Sequence, residues 1–300
     1  MSETSSPATT TDQVLLYSEE IKGFSGKFNL IFSHTFERDS SIPNNVDNVA
    51  QYRYAWACGR EFVCFGENKM DVFDVNDRFK KIKTFDLVSC NLQGIPYSVA
   101  YCKKDHSCIF ETRPLSGFPI KISKIDLRNG EVKWSTSFNS SKNLYNSLHS
   151  FVMDTRGIIY LLDQTSQQIV LICSESGQII DKIGKNCKTT FNSEAYNPYY
   201  LSMDRNDNLL VTCYDQNWIP ILKMFTRNLK YVKTLKVSGY YFSAPLLYDP
   251  ISDGYIFRSH NGIQYASKDF EAISQKNITA HFYSLSNGVG IFNLTPTQVG

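Results

Sequence analysis

The strongest constraint on this chain is an internal repeat. Residues 149–184, HSFVMDTRGIIYLLDQTSQQIVLICSESGQIIDKIG, divide into four short apolar runs, SFVM, IIYLL, QIVLICS and QIIDKI, set apart by Asp, Gly and Ser. Four strands joined by three tight turns make one antiparallel meander. Residues 199–237 repeat that plan, with Asp204 in the place of Asp154 and Asp215 near the place of Asp163. A third copy, 244–273, puts Asp249 in the same column; upstream copies at 97–138 and 52–85 put Cys102 and Cys58 there, and residues 281–294 supply Ser286. Positions 58, 102, 154, 204, 249 and 286 are 44, 52, 50, 45 and 37 residues apart, a period that belongs to ring-forming sheet repeats.

The last copy holds only two strands before the chain ends, which would leave half a sheet with an open edge. The N-terminal run TDQVLLYSEEIKGFSGKFNLIFSHTF supplies the rest: a strand at Val14 to Tyr17, a turn around Gly23 to Gly26, and a strand at Phe28 to Phe36. The expected fold is therefore all-β: a six-bladed β-propeller of four-stranded antiparallel blades, closed by N-terminal strands that complete the last blade. Residues 1–12 are expected to form a disordered polar tail and 13–300 a single propeller domain. The lysines at Arg78-Phe-Lys-Lys-Ile-Lys83, Lys182 to Lys188 and Lys230 to Lys236 fall in the fourth strand of their copies, where lysine guards an edge against unwanted pairing.

Composition narrows the function classes. With 42% hydrophobic and 20% charged residues the chain has material for a packed core, and a net charge of +2 from 31 basic and 29 acidic residues gives no field to draw in DNA or an acidic membrane. The first residues, MSETSSPATTTDQ, carry no secretory leader pattern, and no run approaches the ~18 apolar residues of a membrane span. A cytoplasmic location without membrane attachment is expected. The eight cysteines are dispersed, form no C-x-x-C and sit mostly in apolar runs such as FVCF and VTCY, the setting of buried free thiols.

The pattern in FVMDTRGIIYLLD, apolar residues leading to Asp-x-x-Gly-x-Ile-Tyr-x-x-Asp, followed by QIVLI and the hairpin SESGQII, resembles the NHL repeat. The copy at 199–237 keeps the spacing with Asn208 in place of the glycine, and the others keep the hydrophobic frame. KIDLRNGEVKWS resembles the outer hairpin of quinoprotein-type blades. In regucalcin-type lactonases, which this outline also resembles, a Glu in one blade with Asn and Asp from others holds a divalent cation. Five residues before the column, where each first strand enters from the channel rim, this chain has Arg53, Tyr97, His149, Tyr199, Ala244 and His281. That set contains no carboxylate, and hard cations require oxygen ligands. No metal, no cofactor and no catalytic set is expected, and no G-x-S-x-G elbow or phosphate-cradling loop is present.

The loops on that rim are aromatic: SEAYNPYY (193–200), KVSGYYFSAP (236–245), NLYNSLH (143–149) and LQGIPY (92–97), with Arg113, Asp215 and Trp218 in the adjoining turns. Tyrosine, tryptophan and a scattered arginine are what interface hot spots favour. The expected function is a non-catalytic module binding a protein or peptide through Arg53, Tyr97, His149, Tyr196, Tyr199, Trp218, Tyr240, Tyr241 and His281. Two alternatives stay open. One is a lactonase- or strictosidine-synthase-like hydrolase using His149 or His281 as base; the other is binding of single-stranded RNA by aromatic stacking, as some NHL propellers do.

Overall fold

The computed structural model describes residues 13–18, 29–35, 54–58, 61–66, 68–74, 77, 80–92, 95–113, 120–138, 151–164, 166–184, 198–214, 217, 219–236, 246–249, 253–259, 262–268, 270, 273–276, 280–286 and 289–294. Among them the chain is an all-β propeller with four-stranded antiparallel blades. Blade 1 comprises β3 (Tyr54–Cys58), β4 (Glu61–Phe65), β5 (Lys69–Asp74) and β6 (Lys80–Asp86). Blade 2 comprises β7 (Ile95–Cys102), β8 (Ser107–Arg113), β9 (Ile120–Asp126) and β10 (Val132–Phe138). Blade 3 comprises β11 (Phe151–Met153), β12 (Ile158–Asp163), β13 (Gln168–Cys173) and β14 (Ile179–Gly184). Blade 4 comprises β15 (Pro198–Met203), β16 (Leu209–Tyr214), β17 (Pro220–Phe225) and β18 (Tyr231–Lys236). Blade 5 comprises β19 (Leu247–Asp249), β20 (Gly254–Ser259), β21 (Gly262–Ser267) and β22 (Ile273–Lys276). A composite sheet joins the chain's two ends: β23 (Ala280–Ser286), β24 (Val289–Leu294), β1 (Gln13–Ser18) and β2 (Asn29–Thr35), with β1 antiparallel to β24. Residues 1–12 lie outside the described residues.

The middle strands are apolar on both faces because each blade packs against two others. Alternate residues divide between the seams. In β8, Cys108 and Phe110 join Val63, Phe65, Met70 and Val72 of blade 1. Their neighbour Ile109 joins Phe151, Ile159, Leu161 and Ile172 of blade 3. The seam between blades 3 and 4 buries Tyr160, Leu162, Ile169, Leu201, Leu209 and Val211; the next buries Tyr200, Leu210, Leu222, Tyr255 and Phe257. Each such side chain contributes about 1.5–3 kcal/mol. The core is thus a series of radial layers, and it fixes strand register, since a one-residue slip would exchange the two seams' side chains.

The column residues close the first strands as expected, and two of them show why. Asp154 is 3% exposed; its Oδ1 accepts from the N–H groups of Arg156 (3.0 Å) and Ile158 (2.8 Å), and its Oδ2 from the Arg156 guanidinium and the Tyr160 hydroxyl. Burial and the Asp154 charge push the Tyr160 hydroxyl up to about 12. Asp204 repeats the turn, accepting from the N–H groups of Asn206 (2.9 Å) and Asn208 (2.8 Å) and from the Asn208 amide. Asp163 lies a strand's length away, accepting from Ser166. Asp154 and Asp163 are turn formers at opposite ends of β12, not an acid and base pair.

One expectation of the motif is corrected. The residue in the glycine's place in blade 4 is Asp207, not Asn208: Gly157 has φ +82° and Asp207 φ +59°. The left-handed position recurs at His106 (φ 51°) and Asp253 (φ 52°) in the corresponding turns of blades 2 and 5. The thiols also depart in part from expectation. Cys58, Cys64, Cys102, Cys108 and Cys213 are buried and free, whereas Cys90 and Cys173 are partly exposed; Cys187 lies outside the described residues.

Candidate interaction surface

First strands begin, and second strands end, at one end of each blade; this is the rim. Blades 2 and 4 open there with the same dipeptide, Pro96-Tyr97 and Pro198-Tyr199. Proline has no N–H for the ladder, and in both strands pairing breaks just after it: between Pro96 and Val99 against β8, and between Pro198 and Tyr200 against β16. Such a bulge releases a residue from regular alternation and re-aims it. The released residues are Tyr97 with Ser98, and Tyr199. This signal was present in the sequence as two Pro-Tyr steps, and the loop composition alone did not reveal it.

Tyr199 is half-buried. Its ring stands edge-on to Tyr214, with centroids 4.7 Å apart and planes at 82°, and tilts against Tyr200 at 6.4 Å. Its carbonyl accepts from Gln164 Nε2 at 3.0 Å, which ties the rim of blade 4 to the β12–β13 turn of blade 3. That turn is itself fixed by the Asp163 carboxylate on the Ser166 N–H (3.1 Å) and by Gln167 at φ 52°. Tyr214 pairs in register with Pro220, and Ile219 beside it is 46% exposed. Tyr199 and Tyr214 therefore meet at one blade end, with Tyr199 also packed against the seam of blades 4 and 5, and Ile219 exposed next to Tyr214's strand partner Pro220.

Of the other predicted rim residues, Tyr97 lies in β7 and His281 in β23, opposite Asn293. Arg53, His149, Tyr196, Trp218, Tyr240 and Tyr241 lie outside the described residues. Sequence reasoning missed Tyr214, Gln164 and Ile219, which lack any distinguishing pattern until β16 and β17 are placed side by side.

The densest charge lies at the opposite end of the blades, the turn face. Lys124 is 2% exposed, with Nζ 2.7 Å from Asp105 Oδ2 and donating to Ser174 O of blade 3 at 3.0 Å. Lys133 lies 3.0 Å from Asp105 and 3.2 Å from Asp126, and Arg128 grips Asp126 through Nε and Nη2. Burial alone would raise Asp105, but hydrogen bonds from Lys124, Cys102 and Lys133 hold it well below the usual carboxylate range; the Arg128 guanidinium does the same for Asp126. Every charge in the cluster has a partner of opposite sign, so the arrangement joins blades and leaves no group poised for proton transfer. Among the described residues no group of three or more His, Cys, Asp or Glu side chains is placed to hold a metal ion. No helix there is long and apolar enough to cross a membrane.

No family model matches the sequence, and no curated protein matches it. Solved structures do resemble the fold. A Bacteroides caccae protein of unknown function matches with a TM-score of 0.54 at 10% identity, over 87% of this chain and 92% of that one. Virginiamycin B lyase from Staphylococcus aureus matches with a TM-score of 0.54 at 12% identity, over 84% and 87%. Hsv2 from Kluyveromyces marxianus matches with a TM-score of 0.51 at 7% identity, over 87% and 77%. At such identities the likeness concerns the propeller architecture alone.

Proposed function

We infer that this chain is a non-catalytic interaction module, a six-bladed NHL-like propeller over residues 13–300 that binds a protein or peptide partner through its Tyr-rich rim. The observation that carries this reading is the pair of Pro-Tyr bulges, which take Tyr97 and Tyr199 out of strand pairing at the rim. A rigid aromatic ring that is partly exposed on a fixed backbone, as at Tyr199, loses little entropy on binding, which is why such residues dominate interfaces. The six-blade count is supported by β23 of the composite sheet, which touches both β19 of blade 5 and β3 of blade 1. Arg53, His149, Tyr196, Trp218, Tyr240 and Tyr241 extend the same surface in this reading, in a cytoplasmic setting.

Peptides selected from a displayed library on the immobilised protein test it. Their affinity is expected to fall at least about tenfold in Tyr199→Ala and in Tyr241→Ala, the loss of a hot-spot side chain. Unchanged affinity in both variants overturns the reading.

A further inference from the structure

We propose that the outer edge of blade 4, strand β18, accepts an acidic peptide segment in extended conformation as an added strand. This surface is separate from the rim and does not depend on the rim's function. Among the described residues β18 pairs with β17 alone, so its outer edge carries main-chain donors and acceptors that no other described strand takes up. Tyr231 and Val232 follow one another on that strand at a bulge in its pairing with β17, and each is 47% exposed, offering apolar contacts to an incoming strand.

Charge decides which strand can dock. From residue 216 to residue 248 there is no acidic residue, while Lys223, Arg227, Lys230, Lys233 and Lys236 are all basic. Arg227 and Lys230, exposed in the turn that leads into β18, form no ion pair among the described residues. On three of the other outer strands, β6, β10 and β14, the described cations are engaged or have an acidic neighbour. On β6, Lys81 lies 3.9 Å from Asp71, Lys80 lies 3.7 Å from Asp77, and Lys83 donates to the Leu127 and Arg128 carbonyls. On β10, Lys133 sits between Asp105 and Asp126, and on β14 Asp181 adjoins Lys182.

A basic edge repels a second copy of itself and any basic strand, which is the guarding effect of edge lysines. The same field favours a strand that carries carboxylates. Strand addition would supply main-chain hydrogen bonds, with Tyr231 and Val232 receiving its apolar residues and Arg227 and Lys230 its acids. An unpaired strand ladder matches another strand better than it matches a phosphate backbone, so a peptide is favoured over RNA as the occupant.

Fluorescence anisotropy on the full chain tests this with four probes. They are a peptide of about ten alternating Glu and Val residues, its Lys-for-Glu counterpart, the acidic peptide N-methylated at alternate amides, and an oligouridine RNA. The acidic peptide alone is expected to bind, more weakly as salt rises. Its affinity is expected to fall about tenfold or more in the double variant Arg227→Glu, Lys230→Glu, and on N-methylation, while Tyr199→Ala leaves it unchanged. Lys230→Gln, an uncharged change at an exposed site, should show a smaller loss and guards against misfolding of the double variant. No binding of the acidic peptide, equal binding of the Lys peptide, binding of the RNA in its place, indifference to N-methylation or charge reversal, or loss in Tyr199→Ala overturns the proposal.

Discussion

The turn face and the rim are finished in different ways. At the turn face the four seams between blades 1 and 5 are each bridged by side chains reaching into the next blade. Lys83 donates to Leu127 O and Arg128 O, and His106 Nε2 lies 3.1 Å from Glu61 Oε2 without hydrogen-bond alignment. Lys124 and Trp134 Nε1 both donate to Ser174 O, Thr155 N donates to Asp207 Oδ1 at 3.0 Å, and Arg205 lies 3.2 Å from Asp253. At the rim of blade 4 a bulge instead leaves Tyr199 partly buried, edge-on to Tyr214 and packed against the seam with blade 5, near the exposed Ile219. The turn face is joined by charged and polar side chains; the described rim of blade 4 is joined by one amide contact and by packed tyrosines, with Ile219 exposed beside them. A stability defect and a binding defect should therefore come from opposite ends of the same blades.

The sharpest way to break that contrast is Lys124→Ala. It removes a buried cation from Asp105 and a donor from Ser174 O, so a loss of about 3 kcal/mol is expected in urea unfolding, with rim binding of the surviving folded protein unchanged. Next is Asp154→Ala, which strands the Arg156 and Ile158 N–H groups and the Tyr160 hydroxyl; about 2–3 kcal/mol is expected. Asp204→Ala, in a more exposed turn, should cost about 1 kcal/mol. Equal losses for the two would show that burial does not set the worth of these turns.

Gly177→Ala should cost at least about 1 kcal/mol. The residue sits at φ +70°, and an added Cβ would meet the Trp134 ring at 2.6 Å and Thr136 Oγ1 at 2.9 Å. Acid should act at the same seam. Asp105 and Asp126 are held below the ordinary carboxylate range, so the stability they add is present above the unfolded-chain pKa of about 3.9 and is lost as pH falls from there toward their folded values. Lys124→Ala should flatten the fall of the melting temperature between about pH 5 and pH 2. The smallest stability effect, within about 1 kcal/mol, is expected for Tyr199→Ala, whose ring is only half-buried; a larger one would mean that Tyr199 is chiefly an inter-blade packing residue.

Much of the fold was legible because blade repeats write themselves locally. Column residues Cys58, Cys102, Asp249 and Ser286 end their first strands, and the strand expected at Val14 to Tyr17 falls within β1, paired with β24. What was not legible depends on contacts far apart in sequence. Lys124 meets Ser174 across 50 residues, and nothing in ISKID distinguishes that lysine from an edge lysine. Asp207 was hidden because the left-handed position suggests glycine or asparagine, whereas here its carboxylate is held by Thr155 of the preceding blade. At the rim, aromatic composition pointed to Tyr199, but its exposure follows from the Pro198 break in pairing, and Tyr214 and Ile219 joined it only through the register of β16 and β17.

The most direct test of the rim as the binding face is hydrogen–deuterium exchange of the protein with and without a library-selected peptide, compared at both ends of the blades. Protection is predicted in the segments around Tyr97, Tyr199 and Tyr241, with the turns at Asp154 and Asp204 unchanged. Protection confined to those turns, or equal at the two ends, would contradict the account.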